Sequence, residues 1–283
     1  MDEMAPAPPG ADPRASTLAF FGAELRLRRK AAGMTQTELA RALHCAPSLI
    51  CKIESTARVP QEDFAERCDE VLGTDGLFAR LWPVIVRNAY QPWFRPFVEL
   101  EQQATAIRAF ETQLVPGLLQ TQDYARAVLA GRRPDQLRLE RALMARMHRQ
   151  RLFEREEPPR FWAVLEESAI RRRVGGPAVM RAQLARLLDA MERPRIVLQV
   201  LPSDVAVHPA LTGAFWHFTF EQGPEVVYLE GFHEGQLRAE PKVVEAAGQA
   251  YDLLRAQALP PDASADLIAA VMEELTPWTT QQN

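Results

Sequence analysis

TQTELARALHCAPSLICKIESTAR, residues 35–58, holds two helix patterns with a tight turn between them. Thr35 and Glu38 have the spacing of a capping box, in which the Thr35 hydroxyl meets the Glu38 amide and the Glu38 carboxylate reaches back. Leu39, Ala40 and Leu43 carry the apolar stripe of that first helix. Pro47 opens the second, since a first-turn residue has no need of an amide proton. Ile50 and Ile53 give it a buried side. Ala40, Cys45, Ile50 and Ile53 stand where residues must be small or apolar for two helices to cross steeply, and the turn falls near Leu43 to Ala46. This is the helix-turn-helix arrangement.

Further helix patterns flank it. Leu18, Phe21, Leu25 and Arg28 share one face of a helix that Gly33 ends. Pro60 opens a helix with Phe64, Ala65, Cys68, Val71 and Leu72, closed by Gly73, and a fifth starts at Asp75 or Gly76 and holds Leu77, Phe78, Leu81 and Trp82. Asn88 to Pro96 is too broken for a helix and marks a boundary. Beyond it, Phe97 to Phe110 and Gln122 to Arg155 read as helices joined by a Pro116-Gly117 turn. Strands are expected at Phe161 to Leu165, Ile196 to Leu201, Ala214 to Phe220 and Glu225 to Leu229, with helices at Pro177 to Met191, Pro241 to Ala258 and Ser264 to Leu275.

The expected architecture is therefore a mostly α head of five helices followed by an α+β domain with a small antiparallel sheet. The boundaries are a disordered tail over 1–16, the helix-turn-helix domain over 17–88, a linker over 89–96, the α+β domain over 97–277 and a tail over 278–283.

Hydrophobic residues make up 47% of the 283 and charged residues 25%, which excludes wholesale disorder. No apolar run reaches the roughly 18 residues of a membrane span, and the first sixteen residues lack the apolar centre of a signal peptide, so a cytoplasmic protein is expected. Cys45, Cys51 and Cys68 form no CxxC pair and are read as reduced, packed thiols. The net charge of -4 conceals a skew. Residues 14–60 hold eight Arg or Lys against three acids, a net of +5, whereas residues 61–83 hold two against six. A basic face confined to the helix-turn-helix points to nucleic acid.

Residues 35–58 resemble the XRE-type regulators, the Cro and repressor group, on Thr35, Gln36, Leu39, Ala40, Ile50, Ile53, Glu54 and Arg58. Three positions depart from that pattern: His44 and Thr56 stand where Gly is usual, and Ala46 where Ser caps the second helix. His44 needs a positive φ that a side chain disfavours, and Ala46 forgoes a cap worth about 1 kcal/mol. The resemblance implies that the second helix enters the major groove of double-stranded operator DNA. Pro47, Ser48 and Lys52 are then the base readers, with Leu49 and Cys51 beside them; Lys52 reaches guanine and Ser48 donates or accepts. Gln36 and Arg58, with Thr35 and the amides of its helix, meet phosphates. Ile53 is core, and Glu54 orients a neighbouring donor. The protein is expected to bind as a homodimer on two half-sites.

The second domain has no catalytic or metal-binding set. His208, His217 and His233 are scattered, and no zinc-protease, nucleophile-elbow, phosphate-loop or dinucleotide motif occurs, so no enzyme, metal or cofactor is expected. Trp93, Trp162, His208 and Trp216 are candidates for a ligand or partner pocket, or for an ordinary aromatic core. Residues 132–155 carry eight Arg against three acids, a stretch that meets phosphates or an acidic partner, or is a solvated face.

The region from Trp93 to Leu275 resembles the C-terminal domain of WhiJ-like regulators of actinobacteria. The shared words include Phe110-Glu111, Leu114-Val115-Pro116-Gly117-Leu118-Leu119-Gln120-Thr121, Tyr124-Ala125-Arg126, Val174-Gly175-Gly176, Gln199-Val200-Leu201-Pro202, His208-Pro209 and Val226-Val227-Tyr228-Leu229-Glu230. The resemblance implies a small BldB-like protein partner encoded nearby. Two functions follow as expectations: a sequence-specific repressor tuned through its second domain, or an antitoxin-like protein that neutralises that partner and regulates its own operon.

Overall fold

In the computed structural model residues 12–275 are described, so the tails expected over 1–16 and 278–283 lie outside them except for Asp12–Ser16. The chain folds as two units, one of residues up to Gln91 with Pro134–Ala145, the other of Pro92–Arg133 with the chain from Arg146 onward.

In the first unit Ser16 caps α1 (Thr17–Ala31) by accepting from the Ala19 amide at 3.1 Å. α2 (Gln36–Ala42) begins with the full Thr35–Glu38 capping box. α3 (Pro47–Glu54) has Pro47 in its first turn and no side-chain cap at Ala46. His44 takes φ 51° in the turn and Thr56 φ 62° after α3, so both non-glycine residues adopt the left-handed conformation their positions require. α4 (Glu62–Leu72) ends at Gly73, and α5 (Leu77–Ala89) starts at Gly76, which has no side chain to cap it. Asp69 of α4 supplies that cap, its carboxylate accepting from the Phe78 and Ala79 amides at 3.0 and 2.8 Å. Leu18, Phe21, Leu25, Leu39, Leu43, Ile50, Ile53, Phe64, Phe78 and Trp82 fill the core. Arg28 does not join that face as expected. It is exposed, and Arg29, one turn beyond Leu25, is the buried one.

The second unit departs further from expectation. Pro92–Phe94 form a 3-10 turn leading into α6 (Arg95–Gln103), so the segment read as a broken linker is largely helical. The helix expected over Phe97 to Phe110 stops at Gln103, and Ala106–Glu111 form β1. The helix expected over Gln122 to Arg155 is three pieces: α7 (Gln122–Ala130), α8 (Gln136–Arg149) and a 3-10 turn at Gln150–Glu154. β2 (Arg160–Glu166), α9 (Glu167–Arg171), α10 (Pro177–Met191) and β3 (Ile196–Leu201) follow, then β4 (Phe215–Thr219), β5 (Val226–Leu229), β6 (Gln236–Arg238), α11 (Pro241–Gln257) and α12 (Pro261–Glu274).

The sheet is neither small nor antiparallel. Among the described residues six strands run in the order β3-β2-β1-β4-β5-β6, with β1, β2 and β3 parallel and β4, β5 and β6 joined as antiparallel neighbours. β2 and β3 are parallel because a helical crossover, α9 and α10, joins them. Both faces are covered. Ile107, Ala109, Phe161, Ala163, Trp216, Phe218 and Tyr228 belong to the core of one face, with α10 and α12 residues, and Phe110, Val164, Phe215 and Val227 to that of the other, with Tyr251 and Leu254 of α11.

Candidate nucleic-acid interface

Glu54, the last residue of α3, is 2% exposed and organises the first unit. Arg29 of α1 grips it with two donors, Nε at 2.6 Å and Nη2 at 2.9 Å, and also donates to the Met34 carbonyl at 2.9 Å. Gln36, the first residue of α2, donates Nε2 to the same carboxylate at 2.8 Å, and Arg26 stands at 3.5 Å. Burial alone pushes this carboxyl up, but the donors Arg29 and Gln36 and the charges of Arg29 and Arg26 hold it below its ordinary value. One carboxylate thus ties three helices together and sets the angle at which α3 is presented. Gly22 of α1 makes the approach possible: a Cβ there would meet the Ile53 carbonyl oxygen at 2.6 Å.

The opposite face of α3 is open. Pro47, Ser48 and Lys52 are exposed, and Leu49 and Cys51 beside them are half-buried, Leu49 packing against the core. Arg41 and Arg58 are exposed too. An exposed helix face carrying a hydroxyl and an ammonium, next to guanidinium groups, can donate to base edges and phosphates. Two of the residues carried over for phosphate contact are placed differently. The Thr35 hydroxyl serves the capping box, donating to Glu38 Oε2 at 2.8 Å and accepting from the Glu38 amide at 3.2 Å, and Gln36 is held by Glu54. Arg58 has no such engagement.

The expectation that Glu54 orients a donor has its counterpart in Arg29, which the sequence reading passed over. The signal was present: Arg29 continues the stripe of Leu18, Phe21 and Leu25, and a cation on an apolar stripe requires a buried acid. The three cysteines are free thiols, and burial pushes that of Cys68 up.

In the second unit the sheet separates the four residues grouped as a pocket. Trp93 and Trp216 pack with the core of one face, Trp216 donating Nε1 to Glu111 at 2.9 Å. Trp162 and His208 lie on the other. Trp162 donates to Gln199 at 2.9 Å under the Arg255 guanidinium, and His208 sits 3.1 Å from Glu166 with its ring against Phe110. The four do not form one pocket, since successive residues of a strand point to opposite faces. The arginines of 132–155 are likewise no continuous basic face: Arg149 is buried on Glu101 at 2.5 Å, Arg146 donates to Gln120 at 2.7 Å, and Arg155 donates to the Gln102 carbonyl at 2.7 Å.

A capped helix, a tight turn and a second helix with an open polar face define the first unit as a helix-turn-helix DNA-binding module, and residues 21–81 match the helix-turn-helix domain family. Residues 94–270 match the domain of unknown function DUF5753, and the chain belongs to that family. Neither a curated relative nor a solved structure matches the chain. No helix among the described residues is long and apolar enough to cross a membrane.

Proposed function

We propose that the protein is an XRE-type transcription regulator of the WhiJ-like group of actinobacteria, a repressor that binds operator DNA as a homodimer and is tuned through its second unit. It acts in the cytoplasm, on the nucleoid when bound, and by binding rather than by catalysis. The observation that carries this reading is the pairing of two features of α3: one end locked by Glu54, Arg29 and Gln36, and an exposed face of Pro47, Ser48 and Lys52. A reading helix needs both, because base recognition depends on side chains held in register with the groove. One eight-residue helix covers a few base pairs, so two half-sites about 34 Å apart supply the remaining specificity. Lys52→Ala is expected to weaken operator binding about tenfold and relax the base preference at one position, measured by fluorescence anisotropy against single-base operator variants. Unchanged affinity and preference would remove Lys52 from the reading set.

A second reading, an antitoxin-like protein that neutralises a small BldB-like partner and regulates its own operon, is favoured by exposed apolar side chains on two loops of the second unit. Val207 and Leu211 are 74% and 60% exposed, and Phe232 is fully exposed. Purification from the native host separates the readings: a stoichiometric small companion supports the second, and a homodimer alone supports the first.

A further inference from the structure

The loop from β3 to β4, residues 202–214, and the loop from β5 to β6, residues 230–235, leave the sheet at one edge. Phe215 opens β4 opposite Phe110 of β1 and opposite Leu229, the last residue of β5, so both loops lie beyond the carboxyl end of β1. The Glu230 amide donates to the Ala214 carbonyl at 3.1 Å and holds them side by side.

Each loop is built to turn apolar side chains outward. In the first, His208 is the anchor. Its ring is buried against Phe110, lies 3.1 Å from Glu166 and accepts at Nδ1 from the Ala210 amide at 3.3 Å. Ser203 fastens the start of the loop, its amide and hydroxyl donating to Glu167 at 2.9 and 2.8 Å. With His208 and Ala210 drawn in, Val207 and Leu211 on either side of them stand largely exposed. In the second loop Phe232 is fully exposed at the tip of a turn so tight that a Cβ on Gly231 would strike the Glu234 carbonyl oxygen. A turn gains nothing from a solvated phenyl ring, and polar residues serve it as well. Three large apolar side chains, brought to one edge by anchored backbone, mark a contact surface.

Charge says what covers it. The two loops carry Asp204, Glu230 and Glu234, all exposed, and no Lys or Arg. Arg171, tied to the foot of the first loop through Glu167, is matched by Glu167 and Glu274. An apolar centre with acids around it complements a cationic amphipathic segment and disfavours DNA. A second copy seated by a two-fold axis sets the same three acids against one another.

We propose that these two loops dock a basic amphipathic helix of a partner protein. Its apolar stripe closes over Val207, Leu211 and Phe232, and its Lys or Arg side chains meet Asp204, Glu230 and Glu234. Phe232 is the main anchor, because an exposed aromatic ring supplies the largest apolar area on docking. The proposal rests on the premise of the second reading above, that the second unit holds a protein, and adds where that protein sits and by what chemistry.

The test uses the full chain without DNA or any host companion, so its failure leaves both the DNA-reading proposal and the recovery of a companion as separate results. A fluorescein-labelled amphipathic helix of Leu and Lys is titrated by anisotropy beside the same helix with Glu in place of Lys. The Lys helix is expected to bind saturably, at about 10 μM, and the Glu helix not to bind. Phe232→Ser should weaken the Lys helix about tenfold and Glu234→Lys about threefold. Leu27→Ser, which removes an exposed apolar side chain of the first unit, should leave it unchanged. Phe232 has no packing to lose, and a native spectrum of each variant precedes titration. The proposal is overturned if the Lys helix shows no saturable binding up to about 100 μM, if the Glu helix binds equally well, or if Phe232→Ser binds as the parent or as Leu27→Ser does. A homodimer that Phe232→Ser dissociates on gel filtration also overturns it, since the surface is then covered by a second copy.

Discussion

Glu54 and Glu111 are both carboxyls drawn into the protein, and their surroundings push them in opposite directions. Glu54 has donors on several sides, and its ionised form is favoured. Replacing Arg29 by Met leaves that carboxylate buried with Gln36 as its main donor, and breaking a buried pair costs about 3–5 kcal/mol. Urea unfolding is expected to show a loss of that order in Arg29→Met; a loss below about 1 kcal/mol contradicts the role given to the pair. Because the folded value of Glu54 is depressed, its contribution is complete above the unfolded carboxylate range and is lost as pH falls through the folded value. The parent, and not Arg29→Met, should lose that increment of stability in acid. Glu111 has the opposite sign. Its folded value near 8 lies above the ordinary 4.5, so the folded state holds an extra proton between them and stability falls as pH rises across that window. Glu111→Gln should therefore match the parent near pH 5 and exceed it near pH 9 by roughly 1–3 kcal/mol in thermal melts. Equal pH dependence in the two proteins contradicts this. Little of either environment was legible beforehand, because burial of a charge depends on which elements meet, and Glu111 was read as following a helix.

Among elements, α2 and α3 were the most legible, since the capping box, Pro47 and the stripe of Ile50 and Ile53 are local signals that the packing agrees with. Their junction with α1 was not: nothing in the sequence announces that Gly22 must lie against the Ile53 carbonyl. In a free helix Gly→Ala gains about 1 kcal/mol, but at 2.6 Å from a backbone oxygen the methyl group forces α1 and α3 apart. Gly22→Ala is expected to lower stability by about 1–3 kcal/mol and to weaken DNA binding with it; a stabilised variant contradicts the close approach. Ala46→Ser adds the missing cap of α3 and should raise stability by about 0.5–1 kcal/mol with operator preference unchanged, read from the denaturation midpoint and anisotropy. The element misread most was Phe97 to Phe110. Helix and strand share it, and Ala104 and Thr105 between them carry no Gly or Pro to mark the change.

At the scale of the molecule, the division into a helix-turn-helix unit and an α+β unit was legible from the periodicities, but the topology of the second was not. Losing β1 to a helix removes the strand on which β2 and β4 both pair, and what remains reads as an antiparallel set. A physical clue was available in the helix of Pro177–Met191 between β2 and β3, since a helical crossover joins parallel strands. The boundary also hides a long-range exchange: Pro134–Ala145 belongs to the first unit, its core including Met144 and Ala145, and no local pattern predicts that return. The uneven charge was the most useful global signal, because -4 over the chain includes +5 over residues 14–60. That concentration makes any DNA complex sensitive to salt, and affinity should fall steeply between about 50 and 200 mM. The most direct measurement is sequencing of genomic fragments retained by the purified full-length protein at moderate salt, with Lys52→Ala in parallel. A reading α3 gives a few enriched fragments sharing two half-sites about one helical turn apart, lost or altered in the variant; the same set from both proteins removes Lys52 from the reading set, and no enriched fragment contradicts the account.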